Sequence, residues 1–584
     1  MNYLSPHNSE NNEKGHKVQF SAETSSTDSE KNNQETLGVR KVKVISQQYG
    51  TVGRGFVYFS TFLVAYAYGL DSTLRYIFQA TATNSYAQHS LLSTINVIRS
   101  IIAVAAQPTI ARLSDVFGRV ELFVASILFY TVGTIIESQA YDVQRFAGGA
   151  ILYQVGFTGC ILLLEVLIAD LSFLNWRLFC SFVPALPFII NTWVGANVSA
   201  AIGDRWSWGI GMWAIIFPVA CLPLIFCLVH MAWRAKKNGD MDQFKHERSD
   251  YQRLGLKGLL IDLFWKLDVI GVILLVAFLA CFLTPFTLAG GVSANWKKAN
   301  ILAPLIIGFL CLPAFVYWES KAKFPVTPIH LLKDRGVWAA LCIGCFINFV
   351  WYMQGDFMYT VLIVAVNESV TSATRIVSLY SFVSVITGTL LGIVVVYVRR
   401  LKGFIVFGAV IWLVSMGMLV HFRGGTSSHE GIIGSLCLMG FGAGFFTYST
   451  QASIQSCVTH AHMAVITSIY LASYNVGSAL GGTISGAIWT QVLPNQIAKH
   501  LSPELTALAY GSPFTFIIDY PWGTVEREGV VIAYRYVQKL LCIVGVTLCM
   551  PLIGFTLLLR DKKLGSVQSI EDLNPSDEAR PKFN

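Results

Sequence analysis

The chain has 584 residues, 54% of them hydrophobic and 13% charged. A soluble domain carries about twice that share of charge, so the composition excludes a soluble enzyme and points to a membrane protein. In that setting the net charge of +8 reads as Lys and Arg gathered in cytoplasmic loops rather than as a nucleic-acid site. The 12 cysteines fall mostly in or beside apolar runs, as Cys221, Cys227, Cys281 and Cys542 do, which is packing usage and not a disulfide framework. Cys342 and Cys345 form a C-x-x-C without the second pair that zinc would need, and no metal ligand set is expected.

Residues 1–50 are polar, rich in Ser, Asn, Glu and Lys, and read as a disordered tail. Arg40, Lys41 and Lys43 stand just before the first apolar run and place this end in the cytoplasm. A helix needs about 20 residues to cross a hydrocarbon core of about 30 Å. Segments of that order predict helices near 55–75, 90–110, 120–140, 146–168, 178–201 and 208–232. A basic linker follows, and then helices near 267–289 and 301–318. The last group lies near 336–365, 372–397, 403–421, 431–455, 464–490 and 536–559. The expected organisation is all-α and integral to the membrane, with about 14 transmembrane helices. A six-helix half spans 51–232, a cytoplasmic basic linker 233–266 and two inserted helices 267–318. A second six-helix half spans 336–560, with an outer loop over 492–534, and 561–584 forms a cytoplasmic tail. Paired halves of this kind place substrate at their interface near mid-membrane.

Loop charge agrees with this layout. The predicted inner loops carry Arg112 and Arg119, Lys236 and Lys237, Lys321 and Lys323, Arg399, Arg400 and Lys402, and finally Arg560, Lys562 and Lys563. Lys297 and Lys298, on a predicted outer loop, run against the trend. The asymmetry expects both termini in the cytoplasm.

The hairpin Ala111-Arg112-Leu113-Ser114-Asp115-Val116-Phe117-Gly118-Arg119 carries the most specific short motif. Gly118 permits a tight turn. Asp115 stands near the start of the next helix, where the helix dipole favours an anion. The D-x-x-G-R core resembles the signature loop of the major facilitator superfamily, although the family's first glycine is Ala111 here. The resemblance implies that Asp115, Gly118 and Arg119 form a gating latch between the halves.

Several further blocks resemble fungal siderophore–iron transporters of that superfamily. They include Tyr68-Gly69-Leu70-Asp71 with Arg75, Ala82-Thr83-Asn84-Ser85-Tyr86, His89-Ser90-Leu91-Leu92-Ser93-Thr94 and Pro187-Phe188-Ile189-Ile190-Asn191-Thr192-Trp193. Ser485-Gly486-Ala487-Ile488-Trp489-Thr490-Gln491, Asp519-Tyr520-Pro521-Trp522-Gly523 and Tyr534-Arg535-Tyr536-Val537-Gln538 complete the set. The resemblance spans about residues 50–560. It implies proton-coupled uptake of ferric siderophores, with the iron held inside its chelate and no cofactor on the protein. A sister branch exchanges glutathione with protons, and the same scaffold also serves drug exporters.

Ionisable groups within spans are costly and face a partner or a cavity. Asp71 and Arg75 can pair at i, i+4, either as a local bridge or in proton coupling. Arg99 stands in an apolar stretch and needs a carboxylate or a ligand oxygen. Glu165, in Leu162-Leu163-Leu164-Glu165-Val166-Leu167, is a candidate proton carrier. Glu137 is expected near the interface. Asn191, Trp193, Tyr352 and Asp356 are candidate substrate contacts with Arg99, although the aromatics around Asp356 also fit a membrane-surface belt. Gly477, Gly481, Gly482 and Gly486 share one helix and allow close helix packing. The H-x-H of His460 and His462 reads as a surface feature. Tyr510, Phe514, Tyr520 and Trp522 make the outer loop aromatic, and it is expected to fold over the outer entrance. The reading is a siderophore importer in the plasma membrane and/or endosomal vesicles, with protons and the lipid bilayer as its other partners. A membrane sensor that binds without transporting is a distant third reading.

Overall fold

The structure is a computed structural model that describes residues 50–172, 176–240, 242, 250–289, 293–326, 331–458 and 463–564. The tail before residue 50, residues 565–584, parts of the basic linker, and His460 and His462 lie outside the described residues.

The described residues form helices α1 (Thr51–Ser85), α2 (Leu92–Phe117), α3 (Arg119–Ser138) and α4 (Val143–Leu171). There follow α5 (Arg177–Ser181), α6 (Pro187–Ile202), α7 (Trp206–Gly211) and α8 (Trp213–Lys237). The linker holds α9 (Asp250–Lys266), and α10 (Val269–Leu288) and α11 (Ala299–Lys321) form a hairpin. The remainder is α12 (Arg335–Gly355), α13 (Met358–Ala365), α14 (Val370–Val398), α15 (Lys402–His421), α16 (His429–Gln455), α17 (Met463–Ile497), α18 (Pro503–Gly511), α19 (Pro513–Asp519) and α20 (Val525–Leu558). Among the described residues, 12 helices are long and apolar enough to cross a membrane. The other two expected spans coincide with α1, whose length includes Asp71, Arg75 and many hydroxyls, and with α6, which has 16 residues. Polarity in the one and shortness in the other keep these two below the apolarity and length that mark the rest.

Helix ends follow local chemistry. Asp142, Asp334, Ser369 and Thr524 accept backbone N–H groups at the starts of α4, α12, α14 and α20, satisfying donors that a helix start leaves free. Gly118, at φ 109°, makes the turn between α2 and α3. Two expected spans are interrupted. The one near 178–201 breaks into α5 and α6, and the one near 336–365 breaks at Asp356 and Phe357. The expected outer loop also contracts. α17 runs on to Ile497, and α20, capped by Thr524, begins at Val525, well ahead of the start near 536 read from the sequence. Only 498–524 lies between these spans.

Buried apolar side chains gather in two large clusters. One is built almost wholly from α1–α8, and the other from α12–α20 with a few residues of α1, α2 and the α5–α6 turn. A third, smaller cluster joins α2, α10 and α17 through Val97, Ile101, Val104, Leu279, Leu283 and Ala479. α10 thus lies along the seam between α2 and α17, while α11 packs mainly on α10 and leaves Leu302, Ile306, Phe309 and Val316 exposed, as a lipid-facing helix does. On α17, a side chain at Gly477 would meet the Cys345 carbonyl oxygen at 1.9 Å. That close approach is the packing role expected of the glycine row.

Candidate functional site

A cavity of about 770 Å³, counted out to its open mouth, lies between the two sets of helices. α1 contributes Ser72, Thr73, Tyr76 and Ile77, and α6 contributes Phe188 and Thr192. Trp351, Tyr359 and the α14 residues Thr374, Val377, Ser378, Tyr380 and Ser381 line the opposite wall. Rings and hydroxyls therefore make up most of its surface, and no charged side chain lines it.

One edge of the cavity leads into a polar chain that crosses the bundle. The Tyr76 hydroxyl donates to the Gly355 carbonyl at 2.7 Å, a group exposed by the break between α12 and α13. Such breaks in a membrane helix need outside partners. Asp356, buried at this break, accepts from Asn96 Nδ2 at 3.0 Å and from Ser485 Oγ at 2.6 Å. Asn96 accepts from Gln79 Nε2 at 3.1 Å. Arg99 donates to Gln79 Oε1 at 3.0 Å and to Gln154 Oε1 at 3.1 Å. Arg99 thus finds amide oxygens, and the chain links α4, α2, α1, the α12–α13 break and α17.

A denser ionic cluster lies behind α1. Arg75 donates through Nε and Nη2 to Asp71 at 3.1 and 3.2 Å, and through Nη2 to Thr134 at 3.2 Å. Its Nη1 pairs with Glu137. Asp71 also accepts from the hydroxyls of Tyr153, at 2.9 Å, and Tyr130. The Asp71–Arg75 pair is therefore part of a buried cluster and not a lone interfacial bridge. Glu137 corrects its expected place at the interface, because it is 0% exposed. The ring of Tyr153 lies 3.7 Å from the Arg75 guanidinium and 5.0 Å from that of Arg99, which joins the two networks.

At the end of the bundle that holds Asp115 the two helix sets meet closely. Phe182 packs on Tyr448 with ring centroids 4.6 Å apart, and Gly388 and Gly392 of α14 lie against Phe182 and Phe179. Gln451 of α16 donates to Glu165 of α4 at 3.0 Å. In the hairpin, Arg119 pairs with Asp170 on α4. A side chain at Gly118 would meet Glu121 Oε2 at 2.3 Å. Sequence reading assigned Arg112 only to loop charge. It instead donates to the carbonyls of Lys266 at 2.8 Å, Phe324 at 3.1 Å and Pro325, tying α2 to both ends of the inserted hairpin.

Several candidates stand away from the cavity. Asn191 is buried against α1, where its Nδ2 donates to the Tyr66 carbonyl at 3.2 Å. Trp193 is 47% exposed, and its ring meets Phe382 edge-on at 5.9 Å. Tyr352 packs against Gly481 of α17. In each case a neighbour holds the cavity position, Thr192 on α6 and Trp351 on α12. One residue along a helix turns about 100°, and these helices are apolar on most sides, so periodicity does not select the face.

At the opposite end α18 and α19 fold over α1 and α13. Asn84 accepts from the Phe514 N–H at 3.0 Å and, through its carbonyl, from Ser512 Oγ at 3.2 Å. The Phe514 ring packs edge-on against His89 at 5.3 Å and against the cavity residue Tyr359 at 6.1 Å. Tyr520 stacks on buried Phe516 at 4.9 Å. Burial raises the Tyr510 phenol, opposed by its hydrogen bond with Ser90. Trp522 is 38% exposed and packs near Arg527. Arg527 in turn donates to the Val364 and Ile363 carbonyls at 2.9 and 3.2 Å, capping α13.

This architecture is that of a polytopic α-helical membrane carrier, with a cavity between two packed sets of helices. No protein-family model matches the chain. It is 56% identical over 91% of its length, and 86% of the relative's, to siderophore iron transporter 1 of Saccharomyces cerevisiae. It is 47% identical to siderophore iron transporter ARN1 of the same yeast, over 94% of this chain and 88% of that one. It is 31% identical to MFS siderochrome iron transporter C of Aspergillus fumigatus, over 93% and 89% of the two chains. A solved bacterial homologue of the human lysosomal transporter Spinster aligns with a TM-score of 0.49 at 12% identity, over 87% of this chain and 97% of that one. The chain belongs to the siderophore iron transporter family of the major facilitator superfamily, and it is not an enzyme.

Proposed function

We infer that this protein imports ferric siderophores, ferrichrome-type hydroxamates foremost, driven by inward proton movement. Family membership supports siderophore transport, and the cavity carries the finer reading. The cavity is walled by both sets of helices, the place where paired halves bind their substrate. Its rings and hydroxyls suit a bulky ligand with a polar, hydrogen-bonding surface. Iron enters as cargo within the chelate, so the wall has no need of metal ligands.

In this reading α1–α8 and α12–α20 are the two halves, and α10–α11 are inserted between them. Tyr76, Thr192 and Trp351 contact substrate, and Arg99 and Asp356 sense it through the hydrogen bonds that run to Tyr76. Asp71 and Arg75 take part in proton coupling. Glu165, bonded to Gln451, gates the closed end with the Asp115–Gly118–Arg119 latch. That end faces the cytoplasm, and α18–α19 with Phe514 cover the outer mouth. The home membrane is the plasma membrane, endosomal vesicles or both, with cytoplasmic termini.

The test is uptake of radio-iron ferrichrome by cells lacking their own carriers, with and without a protonophore. Accumulation that collapses with the protonophore is expected. Failure to take up any ferric siderophore, in protein shown to reach the surface, would overturn the reading in favour of a glutathione–proton exchanger.

A further inference from the structure

We propose that Glu137 is the carboxylate that binds the coupled proton, and that α1 carries this event to the substrate cavity. The inference rests on the proton-driven import above and names its proton site.

The two carboxylates that share Arg75 are not equivalent. Asp71 is saturated, since it accepts from Arg75 Nε and Nη2 and from the hydroxyls of Tyr130 and Tyr153. Glu137 has Arg75 Nη1 on Oε2, while its other oxygen, Oε1, is buried without a hydrogen bond. Arg75 is the guanidinium bonded to both carboxylates, and it leaves Glu137 Oε1 without a donor, which is costly for a buried carboxylate oxygen. A proton on Oε1 converts the carboxylate to the neutral acid and weakens its ion pair with Arg75. Arg75 is then free to serve Asp71 alone.

The remaining groups around Glu137 leave it this role. α1 faces it with Asp71 and Arg75, and α2 brings Arg99, which reaches the cluster over the ring of Tyr153 from α4. Its own helix contributes Tyr130 and Thr134. α7 contains no titratable residue, and α8 places the ring of Phe217 on Tyr130 at 4.0 Å. Arg75 and Arg99 are thus the cations that reach it, and Arg99 is already bonded to Gln79 and Gln154.

The route to the cavity is one helix thick. Asp71 and Arg75 stand on one face of α1, and Ser72, Thr73, Tyr76 and Ile77 line the cavity from the other. A change in how Arg75 divides itself between Asp71 and Glu137 therefore acts directly on the helix that forms the cavity wall. Tyr153, shared by Arg75 and Arg99, extends the same change to the hydrogen bonds that end at Asp356.

The purified full-length protein is tested in liposomes with radio-iron ferrichrome as the probe. Two assays are compared: accumulation driven by an imposed pH gradient, and exchange of external label for internal unlabelled ferrichrome without a gradient. Glu137→Gln is expected to lose gradient-driven accumulation and keep exchange, with exchange no longer dependent on pH. Gradient-driven accumulation at the wild-type level would overturn the inference and leave proton-driven import standing. Loss of exchange together with accumulation would assign Glu137 a structural role and also overturn it. If Glu137→Gln does not fold, Glu137→Asp carries the test. It should keep driven accumulation with a shifted pH midpoint, and an unchanged midpoint would overturn the inference. Wild-type accumulation that ignores the pH gradient would instead sink the import mechanism itself.

Discussion

Helices α1–α4 hold their interior together with charge, whereas α12–α20 hold theirs with rings. In the first region Arg75, Asp71 and Glu137 are at most 1% exposed and linked through the Arg75 guanidinium, with two tyrosine hydroxyls on Asp71. In the second, Phe357 lies flat on Trp489 with centroids 3.9 Å apart, and Trp412 packs between Tyr380 and Phe446. The difference is one of responsiveness. An ion cluster changes its energy when a proton arrives, while stacked apolar rings do not. In the proposed mechanism the first region registers the proton and the second provides a firm opposing wall.

The comparison can be broken or sharpened by substitution. The largest loss is expected at the close helix contacts that both regions share. A side chain at Gly156 would meet the Tyr130 backbone nitrogen at 2.2 Å, as one at Gly477 would meet the Cys345 carbonyl. Gly156→Val and Gly477→Val should both abolish the monodisperse peak of the detergent-purified protein in size-exclusion chromatography. Next come Arg75→Ala and Trp489→Ala. The first leaves two buried carboxylates unpaired, at a cost of about 3–5 kcal/mol. The second empties a ring site at a similar cost of about 3–5 kcal/mol. Thermal unfolding in detergent should show comparable destabilisation, with the dependence of Tm on pH altered only by Arg75→Ala. Equal pH profiles would remove the distinction between the regions.

Arg99→Gln puts a neutral amide in place of the guanidinium and loses two charged hydrogen bonds, each worth about 1.5–3 kcal/mol. It should raise the substrate concentration for half-maximal uptake by about tenfold or more, measured with labelled ferrichrome. The smallest effect is expected from Phe514→Ala, which removes edge-on contacts with His89 and Tyr359. Such ring pairs contribute about 0.5–1.5 kcal/mol, so Tm should fall by only a few degrees. Wild-type behaviour in both stability and uptake would mean that the α18–α19 segment does not cooperate with the cavity beneath it.

Much of this was legible along the chain. Long apolar runs mark the helices because a bilayer demands them, and Arg99, Glu165 and Asp356 stand out because charge in such a run demands a partner. The break at Asp356 was harder to see. Gly355 and Asp356 are its local sign, but the Tyr76 hydroxyl that satisfies the freed carbonyl comes from another helix. Glu137 was misread for a related reason: its position near a helix end suggested the interface, while α1 and α4 pack over that end and bury it.

The sequence by itself determined the membrane class, the approximate helices, the turn at Gly118 and the family, because each depends on residue type and order over a short stretch. The tertiary structure alone decided which side chain of a neighbouring pair meets the cavity, Thr192 rather than Trp193 and Trp351 rather than Tyr352. It also decided that two carboxylates share one arginine. The physical reason is common to both. Apolar membrane helices have no solvent-facing side to orient them, so their rotation and the partners of their few charges are set only when the helices pack together.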